Sequence, residues 1–418
     1  MKIAIRTDSS KIIGTGHAIR CLTLANVLKA QGAETIFICR DHEGNINKLL
    51  KERGYKVFIL SNPTNIPSVS YNWNRHASWL GVPWEQDAEE TIKSILSFCS
   101  RIDWLIVDHY ALEKSWEKQL RKISEHVFVI DDLADRPHDC DILLDQNLNL
   151  DGENRYKKLV PWQCKIILGP EYALLRQEFV EARKEVKPRI GSINNILIFF
   201  GGIDPTNETT KAIEAVKDIT MTNLSFSVVV TQNNPHSQQI EKLCASLSKF
   251  SYLYQVKNMA ELMKHADLAI GAGGISAWER CALGLPSLLI SIAANQNTVC
   301  TNLHAAGAAI FLGPKEIVSV DLITETITAL MGNPERLSYL SRQAHKLVDG
   351  NGAKRVLQEI NCWSSKGLQQ ELLLDIRNLY LRRARSEDKQ QIFEWRNAPN
   401  TRRFFQDPSI ISWERHSK

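Results

Sequence analysis

The stretch IIGTGHAIRCLTLANVLKAQG, Ile12 to Gly32, follows the short apolar run KIAIRT and decides how the chain begins to fold. Gly14 and Gly16 bracket one residue, His17 comes next, and Arg20 stands three positions later. A dinucleotide fingerprint needs Gly-x-Gly-x-x-Gly with an acid about twenty residues on; Ile19 occupies the place of the third glycine. A phosphate loop needs Gly-x-x-x-x-Gly-Lys-Ser/Thr, and no such run is present in this stretch. What remains is a strand, a glycine turn, and a helix from about His17 to Ala30 with a histidine at its start.

The same rhythm continues outward. ETIFICR, YKVFIL, DWLIVDHY, HVFVIDD and CDILLDQN are further buried-strand candidates separated by helical stretches. It restarts near Asn194 with NNILIFFGG, then SFSVVVTQ, SYLYQV, ADLAIGAGG and PSLLIS, again with helices between. Strands alternating with helices imply parallel, doubly wound sheets. The polar segment VEARKEVKPRIGSIN, with Pro188 and Gly191, marks a seam, giving one α/β domain over 1–190 and a second over 191–362. Ligands of such sheets bind beyond the carboxyl ends of the strands, where GTGH, FGG and GAGG all fall. From Asn361 the pattern changes to a connector, over 363–379, and a last segment, 380–418, too short for a core of its own.

Composition narrows the function. Hydrophobic residues make up 44% of 418, and the net charge is only +4. That argues against a dedicated nucleic-acid surface and suits an anionic small molecule held by a local positive site. Nine cysteines contain no Cys-x-x-Cys pair, so a zinc ribbon or redox dithiol is unsupported and a reduced, cytoplasmic setting is expected. Arg6 and Asp8 come too early for a secretory signal, and no apolar run approaches a membrane span. No carboxylate cluster has obvious metal spacing, and no metal or cofactor is expected.

Two places carry chemistry. In GAGGISAWERCALGLPSL, Gly271 to Leu288, a strand ends in glycines and a helix begins near Ser276. Free N–H groups there would bind phosphate oxygens, and Glu279, one turn on, would accept both hydroxyls of a ribose. The alternative is a glycine turn for close helix–strand packing. Asn295 and Gln296, at the next strand-to-helix turn, point to the same sheet edge. At the other place the positive helix end disfavours a charged His17 ring, as a base requires. Arg20 shares the face of His17, opposes its protonation and offers a contact to a phosphate or sugar oxygen. Asp8 either orients the ring or caps the turn.

Five ordered motifs, RTDSSKIIGTGHAIRC, IDDLADRPHDCDILLDQN, GPEYALLRQEF, FFGGIDPTN and GAGGISAWERCALGLPS, resemble the UDP-sugar hydrolases of pseudaminic acid biosynthesis over about residues 1–360. That family removes UDP from UDP-2,4-diacetamido-2,4,6-trideoxy-β-L-altropyranose, without a metal, by C1–O cleavage with inversion. The second half also resembles the nucleotide-binding half of the glycosyltransferases that make lipid II, which implies a GT-B fold of two Rossmann-like domains facing a cleft. The resemblance implies that His17 is the base, that Arg176 contacts substrate, that Glu279 binds ribose, and that Gly273, Gly274 and Ser276 surround the diphosphate. Gly14, Gly16, Arg20, Asp8, Asn295 and Gln296, read from their positions at the two turns, complete the expected substrate-binding set, and association with other enzymes of that pathway is left open. A role in flagellin glycosylation follows from the same resemblance. The competing readings are a UDP-sugar glycosyltransferase and a non-catalytic nucleotide-sugar sensor. The tail, LYLRRARSEDKQQIFEWRN onward, resembles the opening of a GNAT-type N-acetyltransferase without its acetyl-CoA loop, so no acetyltransferase activity is expected.

Overall fold

Strand β1, Lys2–Thr7, is followed by the Gly14–Gly16 turn and helix α1, Gly16–Ala30. The strand forms because Ile3, Ala4 and Ile5 are wholly buried on both faces, as parallel strands covered by helices require. Gly14 sits at φ +84°, which a residue with a Cβ adopts at a cost, and the turn closes through the Ser10–Gly14 bridge. The structure is a computed structural model that describes residues 1–62, 74–221, 223–373 (365–373 by backbone) and 388–398. It divides into two compact units, Met1–Ile360 and Asn361–Lys418.

In the first unit β2 (Glu34–Arg40), α2 (Asn47–Glu52), β3 (Lys56–Leu60), α3 (Trp84–Leu96), β4 (Ile102–Asp108), α4 (Lys114–Leu120), β5 (Ser124–Ile130), β6 (Ile142–Asp145) and β7 (Lys165–Leu168) complete a first sheet. Its order is β3-β2-β1-β4-β5-β6-β7, all parallel. Helix α5, Gln177–Glu185, leads to the second sheet. This is built from β8 (Asn195–Phe199), α6 (Glu208–Val216), β9 (Ser225–Val230), α7 (Ser237–Ala245), β10 (Phe250–Tyr254), α8 (Met259–His265), β11 (Leu268–Ala272), α9 (Ile275–Ala282), β12 (Ser287–Ser291), α10 (Gln296–Ala305) and β13 (Ile310–Pro314). The second order, β10-β9-β8-β11-β12-β13, is also wholly parallel. Helices α11 (Val320–Met331), α12 (Pro334–Leu347) and α13 (Gly352–Leu373) follow. Early in α13, Lys165 of β7 pairs with Glu359, so the chain returns to the first sheet. The expected two Rossmann-like domains are present.

Each sheet reverses its strand order once, between β1 and β4 and between β8 and β11. The crevice at such a reversal is where doubly wound sheets bind ligands. Thr7 pairs with Asp108 across the first reversal, and Gly271 with Phe199 across the second. The expected connector over 363–379 is helical through Leu373 as the end of α13, while its residues 374–379 and most of the segment 380–418, on which the acetyltransferase resemblance fell, lie outside the described residues; there α14, Lys389–Asn397, is a helix. Among the described residues no helix is long and apolar enough to cross a membrane.

The second reversal tolerates no side chain at its centre. A Cβ on Gly271 would lie 2.2 Å from Phe199 O and 3.0 Å from Arg280 Nη1. Overpacking of this kind costs about 1–3 kcal/mol. Gly271→Ala should therefore lower the urea midpoint with an unchanged m-value, whereas an unaltered midpoint would mean that β8 and β11 separate freely.

Candidate active site

His17 is the second residue of α1, and its Nδ1 lies 2.6 Å from Asp108 Oδ1 at the end of β4. Arg20, one turn along the helix, closes on the same carboxylate with Nε 2.6 Å from Oδ2 and Nη2 2.7 Å from Oδ1. Asp108 is fully buried. Burial alone would raise its pKa, but the charge of Arg20, then that of His17, and their hydrogen bonds outweigh it and hold the carboxyl far below the ordinary carboxylate range. An ionised carboxylate only accepts. The hydrogen-bond network therefore assigns the ring proton to Nδ1, and Nε2 carries the lone pair. Arg20 Nη2 also lies 3.3 Å from Nδ1, but both nitrogens are donors and both are spent on Asp108.

A second carboxylate locks the arrangement. Asp132 accepts from Arg20 Nη1 at 3.0 Å and from the Tyr110 hydroxyl at 2.5 Å. The Tyr110 ring meets the His17 ring edge-on, centroids 4.5 Å apart. Trp79 stacks on Tyr110 at 5.6 Å, and His76 packs against both. Beside the His17 ring the first domain thus presents an aromatic wall.

The opposite domain meets this corner at its own strand reversal. A Cβ on Gly16 would lie 3.0 Å from Ile275 Cδ1, and one on Gly202 would lie 3.4 Å from Thr15 Oγ1. GTGH, FGG and the start of α9 therefore converge. Asn295, the residue before α10, places Nδ2 3.5 Å from the Tyr110 hydroxyl. Trp278 Nε1 donates to Asn147 Oδ1 at 3.1 Å, and Asn302 Nδ2 to Leu148 O at 2.6 Å, so α9 and α10 are also gripped by the loop after β6.

At the α9 start the helix leaves its first N–H groups without intrahelical acceptors. Gly274, Ile275 and Ser276 are partly exposed there. Ser276 Oγ accepts from Arg280 Nη1 at 3.3 Å, which leaves its own proton to donate. Gln296 Oε1 accepts from Ile292 N at 3.1 Å, and its amide Nε2 would be 3.8 Å from a Cβ on Gly274. Gly273 is buried and leaves no room for a side chain: a Cβ there would strike Cys300 Sγ at 2.1 Å. Glu279 is buried, and Arg176 Nε and Nη2 donate to its Oε1 at 3.0 and 2.9 Å. Arg176 also pairs with Glu178 at 2.8 Å, and its guanidinium lies over the Phe179 ring.

Two expectations are corrected. Asp8 makes no hydrogen bond to His17 and so does not orient its ring directly: it is fully buried, with Arg6 Nη1 and the Arg40 N–H on Oδ1 at 2.6 and 2.7 Å and Arg6 Nη2 on Oδ2 at 2.9 Å. Arg20 is 2% exposed, and all three of its nitrogens are held by carboxylates, so it is not free for a phosphate. Asp108, Tyr110 and Asp132 escaped the sequence reading. DWLIVDHY and VIDDL each carry an acid at the end of a buried strand, the signal that would have found them.

Comparison with known proteins agrees with the fold. Residues 196–360 match the family described as Glycosyltransferase family 28 C-terminal domain. The spore coat polysaccharide biosynthesis protein SpsG of Bacillus subtilis is 27% identical, over 85% of this chain and 96% of that protein. The UDP-2,4-diacetamido-2,4,6-trideoxy-beta-L-altropyranose hydrolase of Campylobacter jejuni is 27% identical, over 73% of this chain and 97% of its own. The crystal structure of MurG from Acinetobacter baumannii superposes with a TM-score of 0.59 at 13% identity, covering 86% of this chain and 99% of that one. The fold is GT-B-like.

Removing one partner of a buried ion pair strands the other. Asp108→Ala leaves Arg20 buried beside one remaining carboxylate and should cost about 3–5 kcal/mol, read as a fall in unfolding free energy. A loss below one kcal/mol would show that Arg20 finds solvent, against the burial described.

Proposed function

We propose that the chain is a nucleotide-sugar hydrolase that releases UDP from UDP-2,4-diacetamido-2,4,6-trideoxy-β-L-altropyranose. The observation that carries the reading is the His17–Asp108 pair, which leaves the His17 Nε2 lone pair free at the same corner that the α9 start occupies. His17 Nε2 takes a proton from a water as its oxygen attacks the anomeric carbon. The C1–O bond breaks, and its electrons leave on the β-phosphate oxygen. Attack from the face opposite the nucleotide inverts C1. Asp108 holds the ring in the tautomer that can act as base and stabilises the imidazolium that forms, the logic of a histidine–carboxylate pair.

The departing diphosphate is received by the α9 N–H groups, the Ser276 hydroxyl and the Gln296 amide. The helix end adds about 0.3–1 kcal/mol of charge stabilisation, and preorganised donors add more where water is excluded. Glu279 offers Oε2 to the ribose hydroxyls while Arg176 holds Oε1. The aromatic wall of Tyr110, Trp79 and His76 suits a sugar whose acetamido and 6-deoxy methyl groups are apolar. The similarity to the Campylobacter jejuni hydrolase over most of both chains supports this choice of substrate.

A UDP-sugar glycosyltransferase is the second reading, favoured by the family 28 match over 196–360. In that reading His17 deprotonates an acceptor hydroxyl instead of water. Incubation with the UDP-diacetamido sugar and no acceptor separates the two: the hydrolase releases UDP over many turnovers, and a transferase releases almost none.

Within the hydrolase reading two variants should behave differently. His17→Ala removes the base and should lower kcat about 10²–10⁴-fold with little change in KM. Glu279→Ala should raise KM more than it lowers kcat. Near-parental turnover by the His17 variant would reject its role.

A further inference from the structure

The proposed mechanism makes no use of a second buried charge cluster in the first domain. Arg6 grips Asp8 on one side and Asp87 of α3 on the other, with Nε and Nη2 at 3.1 and 2.7 Å from the Asp87 oxygens. Arg40 joins Asp87 to Glu90 at 2.7 and 2.8 Å, and Trp116 Nε1 donates to Asp87 at 3.0 Å. Arg6, Asp8, Arg40 and Asp87 are all completely buried. So many ionised groups out of water cost stability unless each is paired. Here they are paired into a rigid block anchored on β1, β2 and α3.

One ring leads from this block to the active corner. His109 Nε2 lies 3.2 Å from Asp8 Oδ2. The approach is bent rather than linear, so the attraction is chiefly that of a full carboxylate charge for the ring N–H. His109 Nδ1 accepts the Ala111 N–H at 3.1 Å, which places the ring proton on Nε2, toward Asp8. Burial is the largest influence on this ring and lowers its pKa in spite of Asp8, which is consistent with a neutral imidazole. The two neighbours of His109 are Asp108, which holds His17 Nδ1, and Tyr110, which packs on the His17 ring.

We propose that Asp8 and His109 are positioning residues: the buried carboxylate pins the His109 ring, and through it the 108–110 turn that sets the His17 imidazole. The inference rests on the reading of His17 as the base. Asp8 thereby serves the active corner from one layer below it.

The two ends of the ring can be replaced one at a time in the full chain. In His109→Gln an amide N–H reaches toward Asp8 as Nε2–H does, but the acceptor for Ala111 is lost. His109→Asn keeps the acceptor for Ala111 and falls short of Asp8. The expected result is that Asn lowers kcat about 10- to 100-fold, the scale of a 1 Å misplacement, with KM little changed, while Gln recovers most of the parental kcat. Near-parental turnover by Asn with a slow Gln variant would show that the local turn bond suffices and would overturn the role of Asp8. Two near-parental variants, or two equally slow ones, would overturn it as well.

A readout without turnover separates this from failure of the hydrolase reading. The hydrogen-bonded Nδ1 proton of His17, assigned by its loss in His17→Ala, should be visible by NMR in the parent and the Gln variant and lost to exchange in Asn. If the resonance follows that pattern while no UDP is released, the positioning stands and the proposed reaction falls.

Discussion

One buried carboxylate organises the active corner. Asp108 is cut off from water, and a lone ionised carboxylate in that position costs several kcal/mol. It is tolerated because Arg20 meets it through two nitrogens and His17 through a third. The same bonds fix the imidazole tautomer, so the pairing of the buried charge and the tautomer that the proposed base needs come from one arrangement. Arg20 is therefore a structural cation despite its place beside a helix N-terminus.

The fold explains why this charge sits there. Both sheets are parallel, and both reverse their strand order once. At the first reversal β1 leads into α1 while β4 ends beside it, which brings residue 17 against residue 108. At the second, β11 leads into α9 beside β8. Contacts from Gly16 to Ile275, from Asn147 to Trp278 and from Asn295 to Tyr110 bring the two reversals together. In the proposed reaction one corner supplies the base, and the other supplies donors for the departing anion.

Much of this was legible in the sequence. Runs of β-branched residues alternating with amphipathic stretches specify parallel sheets, and GTGH and GAGG specify glycine turns into helices. His17, Ser276 and Glu279 could be singled out because their position relative to a helix start is local information. Partners at long range could not. Asp108 is 91 residues from His17, and Arg176 is 103 from Glu279. Asp8 attracted the orienting role because it is the nearest acid in sequence, yet it belongs to the Arg6 block. The acid that ends β4 becomes the better choice only once β4 is known to lie beside β1.

The central claim is that water, activated at His17, attacks carbon and not phosphorus. Hydrolysis of the UDP-diacetamido sugar in 18O-labelled water tests it most directly. The account predicts the label on C1 of the released sugar, in the inverted anomer, and unlabelled UDP. Label in the terminal phosphate of UDP would contradict it, because the attacking water would then have been aimed at the diphosphate.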